Sequence, residues 1–243
     1  ERKRYFNNLM SLLEKKSKYL PQHVAFIMDG NRRWARRHGV PSIQGHKKGS
    51  SIVKRIVKTS LSLKIKYLTF FSFSTENWNR DSFEVKELLT LLEFYLDTEL
   101  AGFKKNKINF KVIGDREKFS SKLKNKIKSL EIETSSFNNL YLVLALNYGS
   151  RNEILDAVKK IKNDKIKRLT IKDISTNLMT SDLPDPDFII RTSGERRLSN
   201  FLLWQSAYSE LYFTKTLWPD FSSYKYKLAL NNFISRKRRF GGN

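Results

Sequence analysis

Two rhythms of apolar residues alternate along this chain. Apolar runs of strand length occupy residues 24–28, 67–73, 108–113, 141–146, 188–190 and 211–213, each closed by polar or turn-forming residues. Between them apolar side chains recur at helical spacing: Ile52, Val53, Ile56 and Val57; Leu88, Leu89, Leu92 and Tyr95; Ile154, Leu155, Val158 and Ile161. An amphipathic helix over about residues 3–19 precedes the first run, and a helix over about 224–235 follows the last and leads into the basic Arg236-Lys237-Arg238-Arg239. Strands alternating with helices predict an α/β fold: one domain spanning 1–243, with a mostly parallel central sheet of about six strands flanked by helices and joined by right-handed crossovers.

That architecture says where to look for chemistry, because open parallel sheets collect ligands beyond the carboxyl ends of their strands. After the first run stands Asp29-Gly30-Asn31-Arg32-Arg33-Trp34, a carboxylate, a glycine that admits a close ligand, and paired arginines. This set reads as a grip on phosphate and metal, the arginines forking onto anionic oxygens and Asp29 holding Mg²⁺ against them. Gly45-His46-Lys47-Lys48-Gly49 lies close enough in sequence to add donors. The second run ends in Ser74-Thr75-Glu76-Asn77-Trp78-Asn79-Arg80 and the fourth in Asn147-Tyr148-Gly149-Ser150-Arg151. Helix-capping turns are the competing account of both. The fifth run opens into residues 191–200, where three arginines crowd with hydroxyls and a glycine, a density that a solvated loop does not need. Glu210, at the start of the last run, is a candidate second carboxylate. Brought to one sheet edge, Asp29, Asn77, Arg191 and Arg197 would form a single site, with few carboxylates and many cations, as a Mg-diphosphate requires.

Composition narrows the reading. The 243 residues carry a formal charge of +23, which suits polyanions of any kind, from diphosphates to nucleic acid or an anionic membrane. Much of that charge sits in the stretches 104–111, 122–128 and 159–168, read as solvated helix faces and loops. Cysteine is absent, which removes disulfides and thiolate chemistry. No dinucleotide-binding glycine motif, Walker A loop or H-E-x-x-H zinc motif is present. A nucleic-acid module is the rival from another class, but Phe70, Phe71 and Phe73 would point to both faces of a strand rather than form one stacking platform. No apolar run has the length of a membrane span. The expected location is cytoplasmic or peripheral on an organelle or ER membrane, with any native targeting segment trimmed.

With these segments in order, residues 23–31, 73–80 and 191–210 resemble the signature regions of the cis-prenyltransferases, the family of undecaprenyl and dehydrodolichyl diphosphate synthases. The resemblance runs from about His23 to Gly242. It implies an enzyme that condenses isopentenyl diphosphate onto an allylic diphosphate such as farnesyl diphosphate, making long-chain cis-polyprenyl diphosphate for polyprenol or dolichol carriers. Asp29 and Glu210 would contact Mg²⁺, and Asp29 and Asn77 would be catalytic. Gly30, Asn31, Arg32, Arg33, Trp34, His46, Ser74, Trp78 and Arg80 would surround the allylic diphosphate. Arg191, Arg197 and Ser199 would take isopentenyl diphosphate, with Arg239 and Gly241 of an R-x-G motif that reaches a neighbouring subunit in a homodimer. Leu88, Leu92, Ile108, Leu140 and Leu142 are candidates for the tunnel that holds the growing lipid. A partner-dependent or silent subunit is the alternative within the family.

The chain also departs from the family pattern. Arg32 stands where bacterial members often have glycine, a feature closer to eukaryotic members, and Ser42 where they commonly have arginine. Arg36 or Arg37 would have to supply the missing cation.

Overall fold

The computed structural model describes residues 2–163 and 169–237. Six strands form one sheet: β1 (His23–Ile27), β2 (Tyr67–Ser74), β3 (Ile108–Ile113), β4 (Leu140–Tyr148), β5 (Phe188–Arg191) and β6 (Glu210–Phe213). Their order is β3-β4-β2-β1-β5-β6, and every pairing is parallel. Each of the six expected runs is a strand, with ends within two residues of the expectation.

Strand alternation builds two unequal cores. Val24, Phe26, Leu68 and Phe70 point to one face, where they meet α1 (Arg2–Lys15), α3 (Ser42–Ser62), α4 (Ser82–Asn106), α5 (Ser121–Thr134) and α8 (Ser223–Ile234). Phe26 stacks on Phe70 at 4.9 Å and meets the edges of Trp218 and Tyr226. Burying each such ring contributes about 1.5–3 kcal/mol. Ala25, Ile27, Val143 and Ala145 point to the other face, which is thinner and covered by Phe201, Leu202, Met179 and Leu183. α6 (Ser150–Asn163) and α7 (Ile171–Asn177) complete the fold, with the short α2 (Asn31–Arg37) following β1.

α5 has no counterpart in the expected helices, because its lysines mask its pattern. Leu123, Ile127 and Leu130 nevertheless lie one turn apart and are buried. Its lysines form a solvated face laced to α4, with Lys122 reaching Glu93 and Lys126 reaching Asp97. Among the described residues, no helix is long and apolar enough to cross a membrane. Arg239 and Gly241 lie outside the described residues.

Candidate active site

The carboxyl ends of β1, β2, β4 and β5 deliver their loops to one sheet edge, and the loops lock onto one another. Gly30 turns the chain out of β1 with φ 109°, a left-handed conformation that an L side chain adopts only with strain. Asp29 is held at this exit by its own backbone carbonyl, which accepts from the Trp218 N–H at 3.0 Å and the Thr192 hydroxyl at 2.6 Å.

Arg191, 4% exposed at the end of β5, organises the cationic side. Its Nη2 donates to Asp29 Oδ2 at 2.9 Å, and its Nη1 donates to the Arg197 carbonyl at 2.6 Å and to Ser199 Oγ at 2.7 Å. Arg33 donates to the Ser193 carbonyl at 2.8 Å and to Glu195 at 3.1 Å, while Arg197 donates to the other oxygen of Glu195 at 2.6 Å. Glu195 thus bridges two arginines, which hold its carboxyl below the usual range, Arg197 first and Arg33 second. Ser193, Gly194, Ser199, Asn200 and Leu202 all have positive φ, so unusual backbone geometry is concentrated in this loop.

On the other side, Ser74 and Asn77 form a reciprocal cap. The Asn77 Oδ1 accepts from the Ser74 N–H at 3.0 Å, and the Ser74 hydroxyl accepts from the Asn77 backbone, which fixes the orientation of the Asn77 amide. Arg80 and Arg32 both reach Glu84, at 3.1 and 3.6 Å. The loops after β2, β4 and β5 meet at Gly149, where a Cβ would come within 2.7 Å of Asn200 Nδ2 and 2.8 Å of Thr75 Oγ1. Asn200 clamps the junction, donating to Glu76 at 3.1 Å and accepting from the Arg151 N–H at 2.9 Å.

Behind this edge opens a cavity of about 1180 Å³, beyond the range of ordinary small-ligand pockets. Asp29, Asn31, Arg32, Arg33, His46, Asn77 and Arg80 line its polar end; Leu88, Leu92, Leu96, Ile108, Phe110 and Leu142 line its body. Three buried polar atoms of the polar end, Asn31 Oδ1, Ser42 Oγ and His46 Nε2, have no hydrogen-bond partner within the protein. An unpartnered buried polar atom is costly, so the three are explained by a polar ligand. Burial, then the charges of Arg80 and Arg32, lower the His46 pKa to about 4, leaving a neutral ring that can donate or accept without adding charge.

Among the described residues no group of three His, Cys, Asp or Glu side chains could cage a metal ion. A single carboxylate beside arginines fits Mg²⁺ that takes its remaining oxygen ligands from diphosphate and water.

Several sequence candidates stand elsewhere. Glu210 opens β6 in register with Phe188, whereas Asp29 follows the other end of the sheet, where Ile27 pairs with Arg191. Within one chain Glu210 therefore stands apart from Asp29, and it is paired with Arg236 at 2.7 Å. Trp34 is turned from the cavity wall toward Asp220, to which its Nε1 donates at 3.0 Å, and it stacks on His38. Trp78 donates to Asn147 at 2.8 Å and packs on Phe73, lining a second, smaller cavity instead. Ser74 acts through its cap on Asn77 rather than from the wall. Leu140 is fully buried and does not line the cavity. Of the two arginines considered for the Ser42 deficit, Arg36 lines the cavity and Arg37 does not.

Glu195, Asn200, Asn147 and Trp218 escaped sequence reasoning as individual residues, although three of them lie in segments already singled out. Asn147 and Asn200 occupy positive φ, which asparagine tolerates, and asparagines at strand exits were the available signal.

The family described as "Putative undecaprenyl diphosphate synthase" matches residues 27–241. An isoprenyl transferase of Thermotoga maritima is 48% identical over 227 residues, covering 92% of this chain and 97% of that protein. A ditrans,polycis-undecaprenyl-diphosphate synthase ((2E,6E)-farnesyl-diphosphate specific) of Buchnera aphidicola is 48% identical over 243 residues, covering 98% and 97%. The crystal structure of lavandulyl diphosphate synthase from Lavandula x intermedia, in complex with dimethylallyl diphosphate, superposes with a TM-score of 0.88 at 34% identity, covering 92% of this chain and 99% of that one. The two bacterial relatives are more similar in sequence than the plant structure, so the eukaryote-like feature at Arg32 does not extend to the whole chain.

Proposed function

This chain belongs to the cis-prenyltransferase family and is an enzyme that condenses isopentenyl diphosphate onto an allylic diphosphate; we propose that it uses farnesyl diphosphate or a similar primer with Mg²⁺ and makes long-chain cis-polyprenyl diphosphate. The observation that carries the reading is the large cavity, arginine-rich and acidic at one end and walled by leucines along its body. It suits a lipid diphosphate that is held by its head while its tail lengthens.

In this reading Arg32, Arg33, Arg80, Asn31 and His46 receive the allylic diphosphate, with Arg36 in place of the cation missing at Ser42. Arg191, Arg197 and Ser199 receive isopentenyl diphosphate. Asp29 holds Mg²⁺, which when bound supplies positive charge to the departing diphosphate. Asn77, oriented by its cap on Ser74, positions the reacting ends, and Arg191 ties Asp29 to the isopentenyl loop so that both substrates are held in one frame. The leucine wall excludes water from the allylic carbon while the isopentenyl double bond attacks it, the bond from that carbon to diphosphate oxygen breaks, and one proton is lost from the isopentenyl unit to restore a double bond.

The homodimer belongs to the same proposal. It is supported by exposed Leu155 and Val158 on α6, Leu203 and Tyr208 beyond β5, and Leu211 on edge strand β6. Mixing Arg239→Ala subunits with Asp29→Ala subunits tests whether the R-x-G motif acts across that interface, since restored turnover requires it to do so. Peripheral membrane contact is supported by the charge of +23, and recovery of the protein only in the soluble fraction of a liposome flotation would exclude it.

The deciding experiment is turnover of the purified protein with farnesyl diphosphate and labelled isopentenyl diphosphate, with Mg²⁺ and then EDTA. A metal-dependent ladder of polyprenyl products is expected. Incorporation only after cell extract is added would favour a partner-dependent subunit.

A further inference from the structure

One charged pair sits in the apolar part of the cavity wall, away from the chemistry. Lys54 of α3 and Glu99 of α4 both line the cavity and meet at 2.5 Å. The Lys54 ammonium also lies 5.5 Å from the centre of the Tyr95 ring, and the Tyr95 hydroxyl donates to the Lys47 carbonyl at 3.4 Å. α3 and α4 are thus tied to each other by polar contacts between residues whose neighbours on the wall include the apolar Val53, Val57, Leu92 and Leu96 and, one turn further along α3, Lys58.

Position and exposure give the pair a meaning. Lys54 is eight residues beyond His46 on α3, roughly 12 Å further along the helix axis at 1.5 Å per residue. That places it well down the path of a tail whose head is held near His46. Both side chains line the cavity and retain accessible surface, 52% and 25%, so the ion pair itself forms part of the wall where α3 meets α4. A hydrocarbon chain gains nothing from charges there, whereas an ion pair that spans two helices holds their side of the wall together.

We infer that the Lys54–Glu99 pair is a chain-length determinant, a side closure between α3 and α4 that keeps the lengthening tail inside the cavity. Loss of the pair opens a lateral path into detergent or bilayer, and elongation continues further before release. This deepens the proposed function and rests on it.

Two measurements on the full chain in detergent test it: the lengths of products made from farnesyl diphosphate and labelled isopentenyl diphosphate, and the affinities of n-alkyl diphosphates of stepwise increasing length. For the native protein, affinity should rise with chain length and then level off. Lys54→Met and Glu99→Leu should level off at longer chains, and their main product should gain at least one isoprene unit. The exchanged double variant Lys54→Glu with Glu99→Lys should regain the native plateau and ladder. Unchanged plateau and ladder in both single variants, or an exchange that restores neither, would overturn the inference. The binding series decides it even if the native chain does not elongate, an outcome that would count against the proposed function alone. A native chain that binds no alkyl diphosphate overturns both.

Discussion

Replacing Arg191 with lysine retains the charge and removes the fork. The guanidinium makes three hydrogen bonds from a nearly buried position, to Asp29, the Arg197 carbonyl and Ser199, within 2.6–2.9 Å. A lysine ammonium is a compact point donor on a differently shaped stem, and it cannot span Asp29 and the Arg197 carbonyl in the same geometry. If the carboxylate contact survives and the other two are lost, each lost charged bond costs about 1.5–3 kcal/mol, less what water or a rotated ammonium recovers. The expected net is about 3 kcal/mol, seen as a lower urea midpoint with an unchanged slope. The same loosening displaces Asp29 relative to the 193–202 loop, so kcat/KM for isopentenyl diphosphate should fall roughly 100-fold, or about 2.7 kcal/mol of transition-state stabilisation. Ser199→Ala removes one of these charged bonds and should cost about 1.5 kcal/mol. An Arg191→Lys enzyme with the native urea midpoint and a kcat/KM within about threefold of native would show that the fork does not hold the site together.

Three further outcomes are expected. Gly30→Ala forces a Cβ to within 2.9 Å of Leu217 Cδ2 and 3.1 Å of its Cα at φ 109°, and should destabilise by about 2 kcal/mol; a thermal midpoint equal to native would contradict that. Glu153→Gln disturbs a buried carboxylate that accepts from Tyr148 at 2.5 Å, Gln205 at 3.0 Å and the Met179 N–H at 2.9 Å. Its new NH₂ would face a donor, for a loss of about 2 kcal/mol in urea unfolding, and a neutral effect would mean that the network rearranges freely. His23 is fully buried, its Nδ1–H donating to the Pro184 carbonyl and its Nε2 accepting from Thr69, and burial lowers its pKa to about 4. Below pH 6.5 the unfolded chain takes up a proton that the folded ring refuses, so this contribution is complete above pH 6.5 and is lost as pH falls toward 4. It is worth up to about 3 kcal/mol, and His23→Gln should flatten stability over that window, whereas an equal slope in both proteins would assign the loss to other groups.

The strands were legible because each is an apolar run ended by polar residues, and in a parallel sheet buried on both faces such runs have little competition. The polar clusters after β1, β2 and β5 were legible for the same reason, since they interrupt the pattern where the fold needs only a turn. Side-chain direction was not. Trp34 and Trp78 belong to the right segments, yet Asp220 and Asn147, partners distant in sequence, draw their indoles off the cavity wall. Within one chain Glu210 stands apart from Asp29 because strand register is set by pairing, and its four-residue strand puts the carboxylate at the amino end. α5 went unseen because its four lysines, as many as its buried residues, alternate with them and mask the helical pattern.

The exit of β1 is completed from far along the chain: the Asp29 carbonyl is bonded by Thr192 and by Trp218, and the Asp29 carboxylate by Arg191. During synthesis, a nascent polypeptide that has already made Asp29 therefore lacks the partners that order it until Arg191, Thr192 and Trp218 have been added. The contacts that fix Asp29 have high sequence separation and are of the kind that forms late in folding. Binding competence should arise in a single step once Trp218 has been made, so ribosome-stalled chains ending before Trp218 should hold no lipid diphosphate at all.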